Sequence, residues 1–265
     1  MGVESSEEFE RIAIEASRAG GEVLRRRFAD RSKLAVETKA RHDYVTEVDR
    51  EAEAAVVSVL HLRAPDHAIL AEEGSLGASH ALYRWIVDPL DGTTNFIHGV
   101  PTFAVSIGLE GQDGLIAGAV HDPCRDETFH AHRGGGAFMN GTRIACTGLD
   151  HLDAALIATG FPFREMSQLP AYLAAFERFV RSTSGLRRAG SASLDLAYTA
   201  CGRYDGFFEV GLNPWDLAGG ALLVMEAGGV VTDVRGGPGF LREGSVVAAG
   251  SRLHAAMLAI TRETL

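Results

Sequence analysis

A chain of 265 residues, 46% hydrophobic and 23% charged, is long enough to bury a sizeable core as one large domain or two small ones, and has the make-up of a soluble enzyme. Its net charge is −10, with basic runs only at 25–27 and at Arg187 and Arg188, so no nucleic-acid footprint is indicated. Acidity also disfavours anionic ligands at long range unless bound divalent cations reverse the local sign.

Cys124, Cys146 and Cys201 are odd in number and widely spaced. They make no disulfide framework and read as small buried apolar residues. The acidic start MGVESSEEFE is no signal peptide, and no apolar run reaches about 18 residues. The expectation is a cytoplasmic protein without a membrane partner.

Along the chain, 7–28 spaces its apolar residues near 3.6 and predicts an amphipathic helix. Residues 30–43 are polar and read as a loop. From Asp43 to about Leu62 a second helix is expected, with Val45, Val48, Ala52, Val56, Val59 and Leu60 on its apolar side. Short strands follow near 67–71, 84–88, 103–110, 115–121 and 126–132, separated by glycine or proline signals. GGGAFMNG (134–141) holds no lysine and reads as a tight turn between strands rather than a phosphate cradle. The second half alternates: a strand at 154–159, helices near 168–182 and 191–201, a strand at 205–210, a helix near 214–227, strands VVTDV and SVVAAG, and a terminal helix. That order predicts a layered α/β fold, read as one domain over 1–265 with a soft internal boundary near 148.

The chemistry concentrates in RWIVDPLDGTTNF (84–96). Trp85, Ile86 and Val87 suit a buried strand, so Asp88 and Asp91 fall at its end, where α/β sheets place ligands. Pro89 fixes its own φ and Gly92 lets backbone approach a ligand. Two aspartates this close repel each other unless a cation lies between them; the plainer reading is a turn with Asp91 capping a helix. LAEEG (70–74) ends another apolar run in Glu72 and Glu73, and NPWDLAGGALLVMEAGG (213–229) sets Asp216 at the start of a helix. Oxygen-only ligation of this kind favours Mg²⁺, Mn²⁺ or Ca²⁺ over Zn²⁺.

DPLDGTTNF, AEE and PWDLAGG, in this order and spacing, closely resemble the inositol monophosphatase family. VTEVD (45–49) and the run 190–216 look most like its bacterial inositol-1-monophosphatase members. The resemblance runs from about Phe9 to the C-terminus. It implies a five-layered αβαβα sandwich, a homodimer, inhibition by Li⁺, and Mg²⁺-dependent hydrolysis of inositol 1-phosphate or a similar polyol phosphate by direct attack of a metal-activated water. Carried onto this sequence, Glu72, Asp88 and the Leu90 carbonyl would bind one Mg²⁺. Asp88, Asp91 and Asp216 would bind a second, with a weaker third near Glu72; Mn²⁺ can substitute. Asp49 and Thr93, with Glu72, would activate the water. Gly92, Thr93 and Thr94 would hold phosphate oxygens, and Asp91, Gly190, Ser191, Ala192, Glu209 and Asp216 would contact the polyol.

Physical chemistry points the same way, because phosphate ester hydrolysis needs an in-line nucleophile, a stabilised leaving alkoxide and neutralised equatorial charge. The chain has no D-x-D-x-[TV] start, reactive C-x5-R or R-H-G, so a phosphoenzyme route lacks its nucleophile. Other superfamily activities stay open: fructose-1,6-bisphosphatase, 3′-phosphoadenosine 5′-phosphate phosphatase and histidinol-phosphatase. So does a partner-binding regulatory protein that keeps the fold. In GFPFRE (160–165), Phe161 replaces a small polar residue usual in animal members, and Arg164 could meet a second phosphate or a carboxylate.

Several residues read as structural. Asp49 could face solvent from its helix, Glu73 is a surface or supporting residue, and Trp215 is a packing anchor. Asp195 and Tyr198 read as a local polar pair or dimer contact. Lys39 stays outside the catalytic set. His121, His130 and His132 lack a metal-ligand pattern and read as surface or structural histidines.

Overall fold

A computed structural model of the chain describes residues 5–30, 36–40, 43–72, 74–76, 81–163 and 165–265. The first helix, α1 (Ser6–Ala29), is capped by the Ser5 hydroxyl, which accepts from the Glu8 N–H; acids sit in its first turn and Arg26 and Arg27 in its last. A hairpin of β1 (Val36–Ala40) and β2 (Asp43–Thr46) follows, and α2 (Glu47–Arg63) starts from it. Within the loop expected at 30–43, residues 36–40 and 43 are therefore strand, and the second helix begins at Glu47 rather than Asp43. Thr46 stops the strand by capping α2, a side-chain role that apolar periodicity cannot register.

The main sheet has eight strands. They are β3 (Ala68–Ala71), β4 (Ser75–Leu76), β5 (Arg84–Asp91), β6 (Ala104–Gly111), β7 (Gly114–Asp122), β8 (Glu127–His132), β9 (Gly136–Met139) and β10 (Thr142–Ile144), with the short helix α3 (Thr93–His98) after β5. Their order is β10-β9-β8-β7-β6-β5-β3-β4, and β3 and β5 run parallel. The tight turn expected over 134–141 is in part a strand. Asn140 and Gly141, with φ of 49° and 78°, turn between β9 and β10, as two-residue hairpin turns demand.

The second sheet contains β11 (Leu156–Thr159), β12 (Gly185–Arg187), β13 (Gly206–Val210), β14 (Gly229–Thr232) and β15 (Ser245–Gly250), in the order β12-β11-β13-β15-β14. Between these strands run α4 (Leu169–Ser182), α5 (Ala192–Ala200), α6 (Pro214–Glu226) and α7 (Phe240–Glu243), and α8 (Ser251–Thr264) ends the chain.

The layers follow from which faces are apolar. One buried cluster joins α1 and α2 to the eight-stranded sheet through Phe9, Leu24, Val56 and Trp85. A second binds α5 and α6 between the two sheets through Leu194, Leu217, Phe129 and Phe207. The third packs α4 and α8 on the outside of the five-stranded sheet through Tyr172, Phe179, Phe208 and Met257. The result is the expected five-layered αβαβα sandwich.

Close approach of α6 to the main sheet rests on missing side chains. A Cβ on Gly108 would lie 2.6 Å from that of Ala218, and one on Gly219 would lie 2.9 Å from the Ile107 carbonyl oxygen. That contact seats the first half of α6 on β6 and β7, beside β5 in the sheet. Among the described residues no helix is long and apolar enough to cross a membrane.

Two smaller expectations change. Cys124 is exposed, because it sits in the turn between β7 and β8; Cys146 and Cys201 are half-buried. Asp195 and Tyr198 are both buried but do not pair. The Tyr198 hydroxyl donates to Asp122 Oδ2 at 3.3 Å. The three histidines are structural: His121 Nδ1 lies 3.0 Å from Thr128 Oγ1, and His130 and His132 both bind Glu10, at 2.6 and 2.5 Å.

Candidate active site

On a regular strand, residues three apart point to opposite faces. Asp88 and Asp91 meet because β5 is bulged between them. Asp88 pairs with Ser106 on β6, but Asp91 pairs with Ala104, so Pro89 and Leu90 together oppose the single residue Val105. The extra residue changes the parity and brings both carboxylates to one side. Pro89 suits the irregularity because it has no N–H to offer a ladder.

Two further elements complete the acidic cluster. The start of α6 supplies Asp216, whose Oδ2 accepts the Asn213 N–H at 2.7 Å in a capping box. Ligand oxygens of Asp88, Asp91 and Asp216 lie within 4.8 Å of one another, all three residues buried. Glu72 follows β3, and its N–H donates to the Val87 carbonyl at 3.2 Å. Burial first, then repulsion from Glu72, Asp91 and Asp216, pushes the Asp88 carboxyl well above its ordinary range. Asp91 is also raised by burial, against three hydrogen bonds to its Oδ2. The donors are Ser191 Oγ at 2.7 Å, the Ser193 N–H at 2.7 Å and Ser193 Oγ at 2.5 Å.

Every charge that raises Asp88 is negative. Buried carboxylates converging in this way, with no cationic side chain between them among the described residues, fit a hard divalent cation held by oxygens.

Asp49 does not face solvent. It is 1% exposed, and its Oδ2 accepts from the Thr46 N–H at 2.8 Å and the Thr46 hydroxyl at 2.5 Å. Its Oδ1 receives the Thr93 hydroxyl at 3.2 Å; that hydroxyl also lies 3.1 Å from the Leu90 carbonyl. Gly92, with φ of 101°, turns the chain from β5 into α3, in the left-handed region that favours glycine.

These residues open into a cavity of about 460 Å³. Its walls include Glu72, Asp88, Leu90, Asp91, Gly92, Thr93, Thr94, Gly190, Ser191, Ala192, Glu209 and Asp216. Asp49 lies behind Thr93 rather than in the wall. The Ser191 hydroxyl already donates its proton to Asp91, so toward a ligand its oxygen can only accept. Glu209 lies over Gly160, where a Cβ would collide with its carboxylate. Arg164 and Glu73 lie outside the described residues, as does the side chain of Lys39. Trp215 packs on the central core, as expected.

Sequence reasoning missed four neighbours. Ser193 holds Asp91. Asn95 bridges α3 to the carbonyls of Ala189 and Gly190, at 2.9 and 3.4 Å. Arg188 and His98 line the cavity. Only Asn95, inside the DGTTNF run, carried a signal in the sequence. His98 closes the same short helix as Thr93, whereas Ser193 and Arg188 reach the acidic cluster through packing between segments far apart in the chain.

The family model for the inositol monophosphatase family matches residues 5–265. The chain belongs to the inositol monophosphatase family. It is 49% identical over 252 residues to the Nus factor SuhB of Pseudomonas aeruginosa, covering 93% of each chain. It is 43% identical to an inositol-1-monophosphatase of Mesorhizobium japonicum, covering 96% of each. Among solved structures, the extragenic suppressor protein suhB of Bartonella henselae superposes with a TM-score of 0.92 at 39% identity, over 96% of this chain and 98% of that one. An inositol monophosphatase from Anabaena gives 0.87 at 36% identity, over 98% of this chain and 97% of that one. Family membership accounts for the five layers.

Proposed function

We propose that the chain is a Mg²⁺-dependent phosphomonoesterase acting on inositol 1-phosphate or a similar polyol phosphate. The observation that carries this reading is the buried cluster of Asp88, Asp91 and Asp216 beside the Thr93–Asp49 hydrogen bond. Mg²⁺ or Mn²⁺ held by Glu72, Asp88, the Leu90 carbonyl, Asp91 and Asp216 would neutralise phosphate oxygens and lower the pKa of a water.

The chain's own groups then divide the work. Thr93 Oγ1 donates its proton to Asp49, which leaves a lone pair to accept from a water and a path for that water's proton. Thr46, bound twice to Asp49, holds the carboxylate in place. Backbone N–H groups of Gly92, Thr93 and Thr94 suit phosphate oxygens, because the positive φ of Gly92 turns the start of α3 toward the cavity. Glu209 and the 190–192 backbone offer acceptors and donors for polyol hydroxyls. The test is phosphate release from inositol 1-phosphate with and without Mg²⁺, with Asp91→Asn as control. Release that needs Mg²⁺ and disappears in a folded Asp91→Asn supports the reading. No release from any phosphate ester by metal-loaded protein refutes it.

One finding favours a second role: the P. aeruginosa relative is called a Nus factor, a name that says nothing of hydrolysis. A partner-binding role of that kind would survive Asp91→Asn, whereas hydrolysis would not.

A further inference from the structure

We infer that Arg188 reads a second anionic group on the substrate, so that this cavity prefers esters carrying another phosphate or a carboxylate. The inference rests on the phosphatase reading above and names a residue that decides specificity within it.

Arg188 is the one arginine or lysine among the described residues lining the cavity. Its Cζ lies 5.5 Å from the ring centre of Phe161 and 5.4 Å from that of Phe163. Phe161 is itself fixed edge-on against Tyr172, with ring centres 5.7 Å apart. Two aromatic rings thus hold the guanidinium by cation–π attraction, which leaves its N–H edges open to a ligand. No described residue accepts a hydrogen bond or forms an ion pair with it, although a guanidinium has five donors to satisfy.

The local backbone makes room for this placement. Gly190 has φ of +90°, and a Cβ there would lie 2.6 Å from Arg188 Nη1. Asn95 pins the same turn through the Ala189 and Gly190 carbonyls, and Ser191 ties it to Asp91. The guanidinium is therefore held on the turn that reaches the acidic cluster. A monophosphate seated at that cluster makes no demand on a second cationic site. A planar fork of donors matches carboxylate or phosphate oxygens in pairs.

A competing role is charge balance, since Arg188 also acts on the buried Asp195 carboxylate. Balance alone would affect every ester alike, whereas readout affects only those with a second anion. The two roles separate by comparing matched substrates.

The experiment measures kcat/KM of wild type, Arg188→Ala and Arg188→Lys on two pairs: fructose 1,6-bisphosphate against fructose 1-phosphate, and 3-phosphoglycerate against glycerol 3-phosphate. Binding of the methylene-phosphonate analogues, which cannot be hydrolysed, is read by calorimetry. The preference for the doubly anionic member should fall roughly tenfold or more in Arg188→Ala, with part restored in Arg188→Lys. A fall confined to the first pair assigns a second phosphate, and one confined to the second pair a carboxylate. Ratios unchanged in both pairs, by rate and by binding, overturn the inference. Absence of hydrolysis by wild type on all four esters would count against the phosphatase reading instead, because the analogues still report on Arg188.

Discussion

Replacing Asp88 with asparagine should make the metal-free protein more stable while abolishing its metal response. Asp88 is 2% exposed and lies with Asp91 and Asp216 inside a set of oxygens no more than 4.8 Å apart. One pair of unit charges at that distance repels by about 3.5 kcal/mol at an effective dielectric of about 20. Uptake of a proton by the cluster relieves part of that, so the net gain expected for Asp88→Asn in EDTA at pH 8 is about 1–3 kcal/mol. For a chain of this size that raises Tm by roughly 2–10 °C. The hydrogen bond from the Leu90 N–H, 3.0 Å from Asp88 Oδ1, can be kept by the asparagine oxygen.

The sign with pH follows from the raised carboxyl. Its penalty is absent below the ordinary value of 3.8 and grows as pH rises through the higher folded value, so the gain should shrink toward zero near pH 4. Wild type should regain about 2.7 kcal/mol at Mg²⁺ a hundredfold above its Kd, and the variant little of it. Urea denaturation at pH 4 and pH 8, with EDTA or Mg²⁺, measures all four terms. A metal-free variant less stable than wild type at pH 8 would refute the reasoning.

Ser193→Ala should weaken Mg²⁺ binding by roughly tenfold or more, since two of the three hydrogen bonds to Asp91 Oδ2 come from Ser193 and its Oγ supplies one; calorimetric titration checks it. Glu10→Gln should cost about 1–3 kcal/mol at pH 7, measured by denaturation. Burial alone would raise the Glu10 carboxyl, but its hydrogen bonds to His130 and His132 hold it below 4.5. That stability is present above 4.5 and fades as pH falls through the lower folded value. The whole chain is expected to unfold in one transition by fluorescence and circular dichroism, since α5 and α6 bury both sheets. Two separated transitions would argue for a boundary near 148. Light scattering should give a dimer mass; a monomer would remove that expectation.

Much of the architecture was legible along the chain. Helices such as 7–28 and strands such as 205–210 announce themselves through local periodicity, and their ends fall within a few residues of those expected. The hairpin at 36–46 was not legible, because Thr46 acts as a cap and Asp49 answers it, a reciprocal hydrogen bond that leaves no trace in apolar spacing. Residue chemistry near DPLDGTTNF, AEE and PWD identified carboxylates suited to a hard cation.

What sequence alone determined is the inventory: the longer helices and strands, and which oxygens the chain can offer a metal. Those follow from side-chain volume, backbone preference and hydrogen-bonding capacity, properties that act over a few residues. Tertiary structure decided the arrangement. Asp88 and Asp91 share a side only because β5 is bulged against β6, and Asp216 joins them only because Gly108 and Gly219 let α6 lie close to that sheet. Register and interlayer distance are set by long-range packing, and so is the meeting of Arg188 with Phe161 and Phe163.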